Sequence, residues 1–361
     1  MSLLKKLFGS KQEAIKSNED FWNWFTDHEK AFFKVVKEQG NFEKDFFEKL
    51  SPKLAELKDG YFFLTGMMAD NTAELVLTAD GAISNIIFVE ELVAAAPKID
   101  NWQFTALKPA LDIENFGINM GDYQFNKENL SFYYTEDDNF PDEIDITIVH
   151  QDLNEENKKT ITNGTLIFLD NYIGELNFAT TIDNINVIGK ESTTKELIPI
   201  AKLKDFLIWR EKEFVEKYDG IRHNTENDKY NMLEGTLENG NPLLAIINTD
   251  LLNWDSKASH PWILHIEVKF AADANGMPNK TDYKLLNDLE DEILLSLKDS
   301  DGYLNIGRET ANGVREIYFA CKDFRKPSKL LYEIKRSTAL NLTYEIYKDK
   351  YWQSFNKFIG N

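Results

Sequence analysis

Asn312-Gly313 separates two runs of alternating apolar residues, Tyr303 to Glu309 and Val314 to Cys321. Both central positions of a tight type I′ turn need positive φ, which Asn and Gly adopt at least cost, so the dipeptide predicts a β-hairpin and pins its register. Pairing across that turn sets Thr310 opposite Arg315 and Arg308 opposite Ile317, all on one sheet face. The same face is expected to continue through Leu304, Ile306 and Phe319. Two guanidinium groups then stand at the rim of an apolar core and need acceptors.

A helix expected over Asp282 to Leu297 supplies them. Glu290 and Asp291 lie beside its expected buried stripe of Leu286, Leu289, Ile293 and Leu297. Arg308, Thr310, Arg315, Glu290 and Asp291 therefore form the candidate site of this chain. One reading is structural, a partly buried ion pair that fastens helix to sheet. The other is functional: the arginines hold a carboxylate or phosphate and Glu290 or Asp291 acts as acid or base.

The rest of the chain reads as alternating helices and strands. Phe21, Phe25, Phe32 and Val36 fall near one helical face, and a second helical segment follows from Phe42 to Leu57. Tyr61 to Met67 and Ala73 to Thr78 read as a hairpin around Ala69 to Thr72, and residues 82–96 read as a helix that Pro97 stops. Strands are expected at Trp102 to Leu107, Tyr123 to Phe125, Leu130 to Thr135 and Ile144 to Val149, then a helix from Leu153 to Leu169. The polar run 190–196 suggests a domain boundary. Beyond it come a helix from Leu203 to Tyr218, strands Tyr230 to Leu237, Leu243 to Asn248 and Trp262 to Phe270, the helix and hairpin described above, a helix from Ser328 to Arg336, and a strand from Leu340 to Tyr347. The expected class is α+β in two domains, 20–195 and 196–361 after a tail of 1–19. Each would be a mainly antiparallel sheet with helices packed on it, an order that also fits ferredoxin-like elements.

Charge is uneven. Residues 1–195 carry 18 basic and 34 acidic side chains, and residues 196–361 carry 23 and 27. An acidic first half repels nucleic acid and suits a basic protein partner. All six arginines lie from Arg210 onward, which confines bidentate anion recognition to the second half. A single cysteine, Cys321, excludes an internal disulfide framework and multi-thiolate zinc, and points to a reducing compartment. No run reaches the roughly 20 apolar residues of a spanning helix, so the chain is expected to be soluble and cytoplasmic. Residues 3, 4, 7 and 8 are apolar around Lys5 and Lys6, a short amphipathic pattern that reads as a frayed tail rather than an export signal.

Other polar groupings fare worse as sites. His260 and His265 are five apart and fall on opposite faces of a strand, where His265, Glu267 and Lys269 should form a solvated side. Cys321 extends the Arg315, Ile317, Phe319 face and reads as a buried, inert thiol. Glu136 to Asp145 packs six carboxylates into ten residues without calcium-loop spacing, and reads as a solvated loop. Asp299 to Gly302 misses that spacing as well. Gly189-Lys190 fails as a phosphate loop, since Asn184 and Glu191 stand where a glycine and a Ser/Thr belong. The basic residues Lys322, Arg325, Lys326, Lys329, Lys335 and Arg336 read as a solvated helix face. No cofactor or metal is expected.

Leu289-Glu-Asp-Glu-Ile293, Gly302-Tyr-Leu-Asn-Ile-Gly-Arg-Glu-Thr310 and Gly313-Val-Arg-Glu-Ile-Tyr-Phe319 resemble domain-of-unknown-function family 695 of bacterial proteins. Glu74 to Gly81 and Val89 to Pro97 are similar to regions that accompany such domains. The resemblance implies no activity. Neighbouring domains in that family include ones like the regulator of ribonuclease activity B, a ferredoxin-like inhibitor of an RNA-degrading enzyme, which is an analogy of fold and neighbourhood only. The expectation is a non-enzymatic, intracellular interaction or regulatory protein that binds a basic partner through its acidic first half. The alternative is an enzyme or small-anion binder built on the Arg308 and Arg315 group.

Overall fold

The computed structural model describes residues 14–359, so the amphipathic pattern read at residues 3–8 lies outside it. The chain forms two compact units. One runs to Leu111 and takes in Ile173–Leu176; the other holds Asp112–Tyr172 and the chain from Asn177 onward. The boundary expected at 195 falls inside the second unit, because Ile198–Pro199 returns to pair with a strand of the same sheet that precedes it.

In the first unit, α1 (Asn18–Lys37) begins at Ser17, whose hydroxyl accepts the Asp20 N–H at 3.1 Å. Its first turn carries Glu19 and Asp20 and its last carries Lys34 and Lys37, each sign matching the helix dipole. Phe21, Phe25, Phe32 and Val36 are buried as the spacing predicts, with Trp22 added. A π-helical turn, Glu43–Phe47, leads into α2 (Glu48–Leu57). Then come β1 (Phe62–Ala69), β2 (Thr72–Thr78), α3 (Ile83–Ala94) and β3 (Trp102–Ala106) in a sheet of order β1-β2-β3. The hairpin is antiparallel, whereas β2 and β3 pair in parallel through α3. Trp22 and Phe25 meet Phe104 and Trp102 edge-on at 4.5 and 5.2 Å, and the Trp22 indole N–H donates to the Leu92 carbonyl at 2.7 Å. These contacts bind α1 to both α3 and the sheet.

The second unit begins with a short hairpin, β4 (Ile118–Met120) and β5 (Tyr123–Phe125). It continues with β6 (Leu130–Thr135), β7 (Asp145–His150), α4 (Lys158–Ile173), α5 (Glu175–Thr180), β8 (Asn184–Gly189) and β9 (Ile198–Pro199), Ile173–Leu176 at the junction of the two helices belonging to the first unit, and the sheet order is β8-β7-β6-β9. The helix expected from Leu153 starts later, since Asn154 and Asn157 exchange side-chain to backbone hydrogen bonds and hold that segment as a turn. Gly164 has no substitute in α4: a Cβ there would stand 2.1 Å from the Phe125 ring.

After α6 (Leu203–Tyr218) the same unit builds a second, larger sheet. Its elements are β10 (Tyr230–Thr236), β11 (Pro242–Asn248), α7 (Thr249–Leu252), β12 (Trp262–Lys269), α8 (Lys280–Ser296), β13 (Tyr303–Ala311), β14 (Val314–Cys321), α9 (Arg325–Ser337) and β15 (Asn341–Lys348). The order is β10-β11-β13-β14-β12-β15, antiparallel throughout. α8 and α9 cover the face of Ile266, Ile317 and Phe319. Trp352 and Phe355, in the segment after β15, cover the other, where they pack with Ala245, Ile247, Leu304 and Ala320.

The β13/β14 hairpin has the predicted register, with Thr310 opposite Arg315, Arg308 opposite Ile317, and positive φ at both Asn312 and Gly313. One expectation for it is corrected. The register shifts between Asn305 and Gly307, so Leu304 and Ile306 turn to the Trp352 side instead of sharing the face of Ile317 and Phe319. Gly307 permits this bulge, with φ 136 and its Cα against β11, where a Cβ would lie 2.2 Å from the Ile246 carbonyl oxygen. Among the described residues no helix is long and apolar enough to cross a membrane.

Candidate functional site

The hairpin and α8 bring four of the five sequence-predicted residues together. Arg308 donates to the Glu290 carboxylate in a close ion pair, and Arg315 Nη1 lies 3.9 Å from the same oxygen. Arg315 is 2% exposed. Its Nε donates to Thr310 Oγ1 at 3.2 Å, its Nη1 to Asn287 Oδ1 at 2.8 Å, and its guanidinium lies 5.5 Å from the centre of the Tyr283 ring. Burial, then the charge of Arg308, lowers its pKa, and Glu290 works against them. Asp291 is exposed and takes no part in these contacts. The guanidinium donors are thus directed at protein acceptors, the arrangement a helix-to-sheet tie requires.

The opposite face of the sheet holds a network that sequence reasoning assigned to solvent. His265 is only partly exposed: its Nε2 lies 3.1 Å from Glu316, its Nδ1 lies 3.1 Å from Glu345, and its ring stacks on Tyr318 at 5.1 Å. The Tyr318 hydroxyl donates to Glu309 at 2.5 Å and lies 3.0 Å from Glu316, and Lys357 closes the chain on Glu309. Alternation set His265 on the strand face opposite Leu264 and Ile266 but named none of the partners it meets there, Tyr318 directly across the ladder among them. It carried no sign that the segment after β15 returns to cover them. His260, outside the strand, is fully buried; its Nδ1 pairs with Ser259 Oγ at 2.8 Å, and burial lowers its pKa to about 4. Cys321 is buried as expected, with its thiol pKa raised by that burial.

The third grouping lies where the two sheets of the second unit meet. The acidic loop Glu136 to Asp145 is not wholly solvated. Asp142 accepts from Lys217 at 2.8 Å and from the hydroxyls of Tyr218 and Tyr351 at 2.7 Å each. Burial opposes the ionised form of Asp142, but those donors outweigh it and lower the pKa. Beside it opens a cleft of about 390 Å³ whose walls include Phe140, Glu143, Asp183, Asn184, Lys348 and Gln353. Asp183 holds Lys348 at 2.8 Å and Lys350 at 2.7 Å, one on each carboxylate oxygen. Burial, then Lys350, lowers Lys348 to about 8. Burial, then the carboxylates of Asp183 and Asp145, raises Glu143. A cleft with an acid and an amine shifted toward each other is the ordinary setting of acid and base chemistry. No local pattern announces it, because Asp183 and Lys350 are 167 positions apart. Among the described residues no group of three or more His, Cys, Asp or Glu is arranged to hold a metal ion.

Residues 234–359 match the model of a family of unknown function, DUF695, a span that encloses all three segments that carry the family resemblance. It starts within β10 and extends past β15, so it corresponds to the six-stranded sheet and its helices. No curated protein and no solved structure matches the chain.

Proposed function

We propose that this chain is a non-catalytic interaction protein that engages a basic protein surface through the carboxylates of residues 112–195. The observation that carries the reading is their display. That stretch holds 17 acidic side chains against five lysines, and eleven of the acids, among them Glu128, Glu136, Asp137, Asp138, Asp152 and Glu156, are exposed. Some meet a lysine at the surface, Glu114 with Lys127 and Glu155 with Lys158. Exposed pairs of that kind contribute little, and the surplus charge sets a field that steers a cationic partner.

The alternative, an anion-binding pocket on Arg308 and Arg315, has less support, since Glu290, Asn287 and Thr310 already accept from those donors. The docking reading is tested by binding of the full chain to a partner purified at low salt. Affinity should fall steeply with ionic strength, and the triple reversal Glu136→Lys, Asp137→Lys, Asp138→Lys should abolish binding while leaving the circular dichroism spectrum intact. Binding that persists in about 1 M salt, where the screening length is about 3 Å, would sink the proposal.

A further inference from the structure

The cleft between the two sheets of the second unit serves its charges unequally. Its lining holds the carboxylates of Glu143, Asp183 and Asp349 and the ammonium groups of Lys348 and Lys350. Both lysines are spent on Asp183, one on each oxygen, and donate further to the main-chain carbonyls of Thr181 and Asp142. Asp349 accepts the N–H groups of Gln353 and Ser354 and the Ser354 hydroxyl, and so fastens the segment after β15. Glu143 is left over. Its Oε1 meets the Gln353 side-chain amide at 3.3 Å and its Oε2 that of Asn184 at 3.4 Å, and among the described residues no cation lies within ion-pair distance of it. The Asn184 amide is held more closely by Asp145, at 2.6 Å. Arg210 donates to the main-chain carbonyls of Pro141 and Glu143 and not to the carboxylate. A partly buried carboxylate among other carboxylates is costly without a counter-charge, and burial, then the charges of Asp183 and Asp145, disfavour its ionised form.

We propose that this cleft is an anchoring pocket for one arginine side chain of a basic protein partner, with Glu143 as the acceptor of its guanidinium and Phe140 as the aromatic surface beside it. The assignment rests on the docking reading above and names one contact within it, since Glu143, Asp145 and Asn184 belong to the same stretch 112–195. With Asp145 included, four carboxylates stand against two ammonium groups, a balance that selects a cation. Each oxygen of Glu143 carries one long amide bond, which leaves lone pairs on both for the parallel N–H groups of a guanidinium fork. An ammonium group is a point charge and gains less from two open oxygens in one plane. Phe140 lines the same cleft, and guanidinium groups stack on aromatic rings. The volume of about 390 Å³ is near the lower end of ligand pockets and suits a single side chain. An arginine seated in such a pocket is a common energetic centre of a protein interface.

The test uses the full chain and small probes, so it needs no partner in hand. Acetyl-arginine methylamide is titrated at about pH 7.5, and the side-chain NH₂ signals of Asn184 and Gln353 are followed by NMR. Both should shift saturably. Acetyl-citrulline methylamide, of the same shape without the charge, should shift neither, and acetyl-lysine methylamide should bind at least about threefold more weakly. Glu143→Gln should weaken the arginine probe at least about tenfold, its backbone amide spectrum reporting that it is folded. Absence of a saturable shift, or equal binding of the citrulline probe, overturns the pocket on the unaltered chain. Equal binding of the lysine probe overturns the choice of guanidinium, and unchanged affinity in Glu143→Gln overturns the role of Glu143. Arginine-probe binding in a chain whose partner binding survives high salt would keep the pocket and sink the docking surface, so the two readings fail separately.

Discussion

Glu175 accepts the hydroxyl hydrogen of Thr78 at 2.6 Å across 97 positions of sequence. The same carboxylate accepts the N–H groups of Ala79, Gly81 and Lys108 at 3.0 to 3.1 Å. It is fully buried. Four donors converge where β2 and β3 end in parallel, a place that would otherwise leave backbone N–H groups unpaired. Glu175→Gln keeps the shape but turns an NH₂ group toward donors. We expect a loss of about 2–3 kcal/mol, read as faster amide exchange at Ala79, Gly81 and Lys108. Unchanged protection at those amides would show that the carboxylate does not hold this end of the sheet.

Glu290 serves two arginines, so its removal is costlier than that of a surface partner. Glu290→Ala leaves Arg315 and much of Arg308 buried without their shared counter-charge. Breaking a buried pair on one side typically costs about 3–5 kcal/mol. Urea unfolding should show that loss, whereas Asp291→Ala, at an exposed position, should stay within about 0.5 kcal/mol of the parent. Equal effects would contradict the geometry of the tie.

What could be read from the chain at this group was local. A turn dipeptide that needs positive φ at both positions set the partners of Arg308 and Thr310, and a helical stripe put Glu290 within reach, so most of the group follows from residue pattern alone. Asp291 could not be separated from Glu290, because adjacent residues at the edge of a helical stripe differ by only about 100° and packing decides which turns inward. The bulge at Gly307 was hidden because a strand interrupted by one extra residue keeps a plausible alternation on either side. The Asp183, Lys348 and Glu143 cleft was invisible for a different reason: its parts are distant in the chain and meet only once two sheets have formed. The same holds for Asp142, read as one carboxylate of a solvated loop and found under the hydroxyls of Tyr218 and Tyr351.

Gly307 provides a direct test of that bulge. Alanine there would set its Cβ 2.2 Å from the Ile246 carbonyl oxygen and hold a strained φ of 136. Pairing of β11 with β13 should be lost locally, at a cost of about 2–4 kcal/mol. Gly235→Ala, in β10, meets nothing closer than Leu243 Cβ at 3.9 Å and should be tolerated. Comparison of the two melting temperatures separates a clash at one site from a general penalty for replacing glycine in this sheet, and similar values would count against the bulge.

His265 makes the stability of the six-stranded sheet depend on pH. Burial disfavours its charged form, but the hydrogen bonds to Glu316 and Glu345 outweigh burial and raise its pKa above 6.5. A raised folded value means that the contribution is complete below about pH 6.5 and disappears as pH rises through the folded value. Glu316 has the opposite sign: its bond to His265 helps lower it to about 2, so its contribution is present above its ordinary value of 4.5 and is lost as pH falls toward 2. The network is therefore most stabilising between about pH 4.5 and 6.5. Unfolding free energy should decline from pH 6 to pH 8, and His265→Gln should remove most of that decline. An NMR titration of the His265 ring checks the premise directly. A midpoint at or below 6.5 would mean that burial outweighs the two carboxylates, and the pH dependence would then have to come from elsewhere.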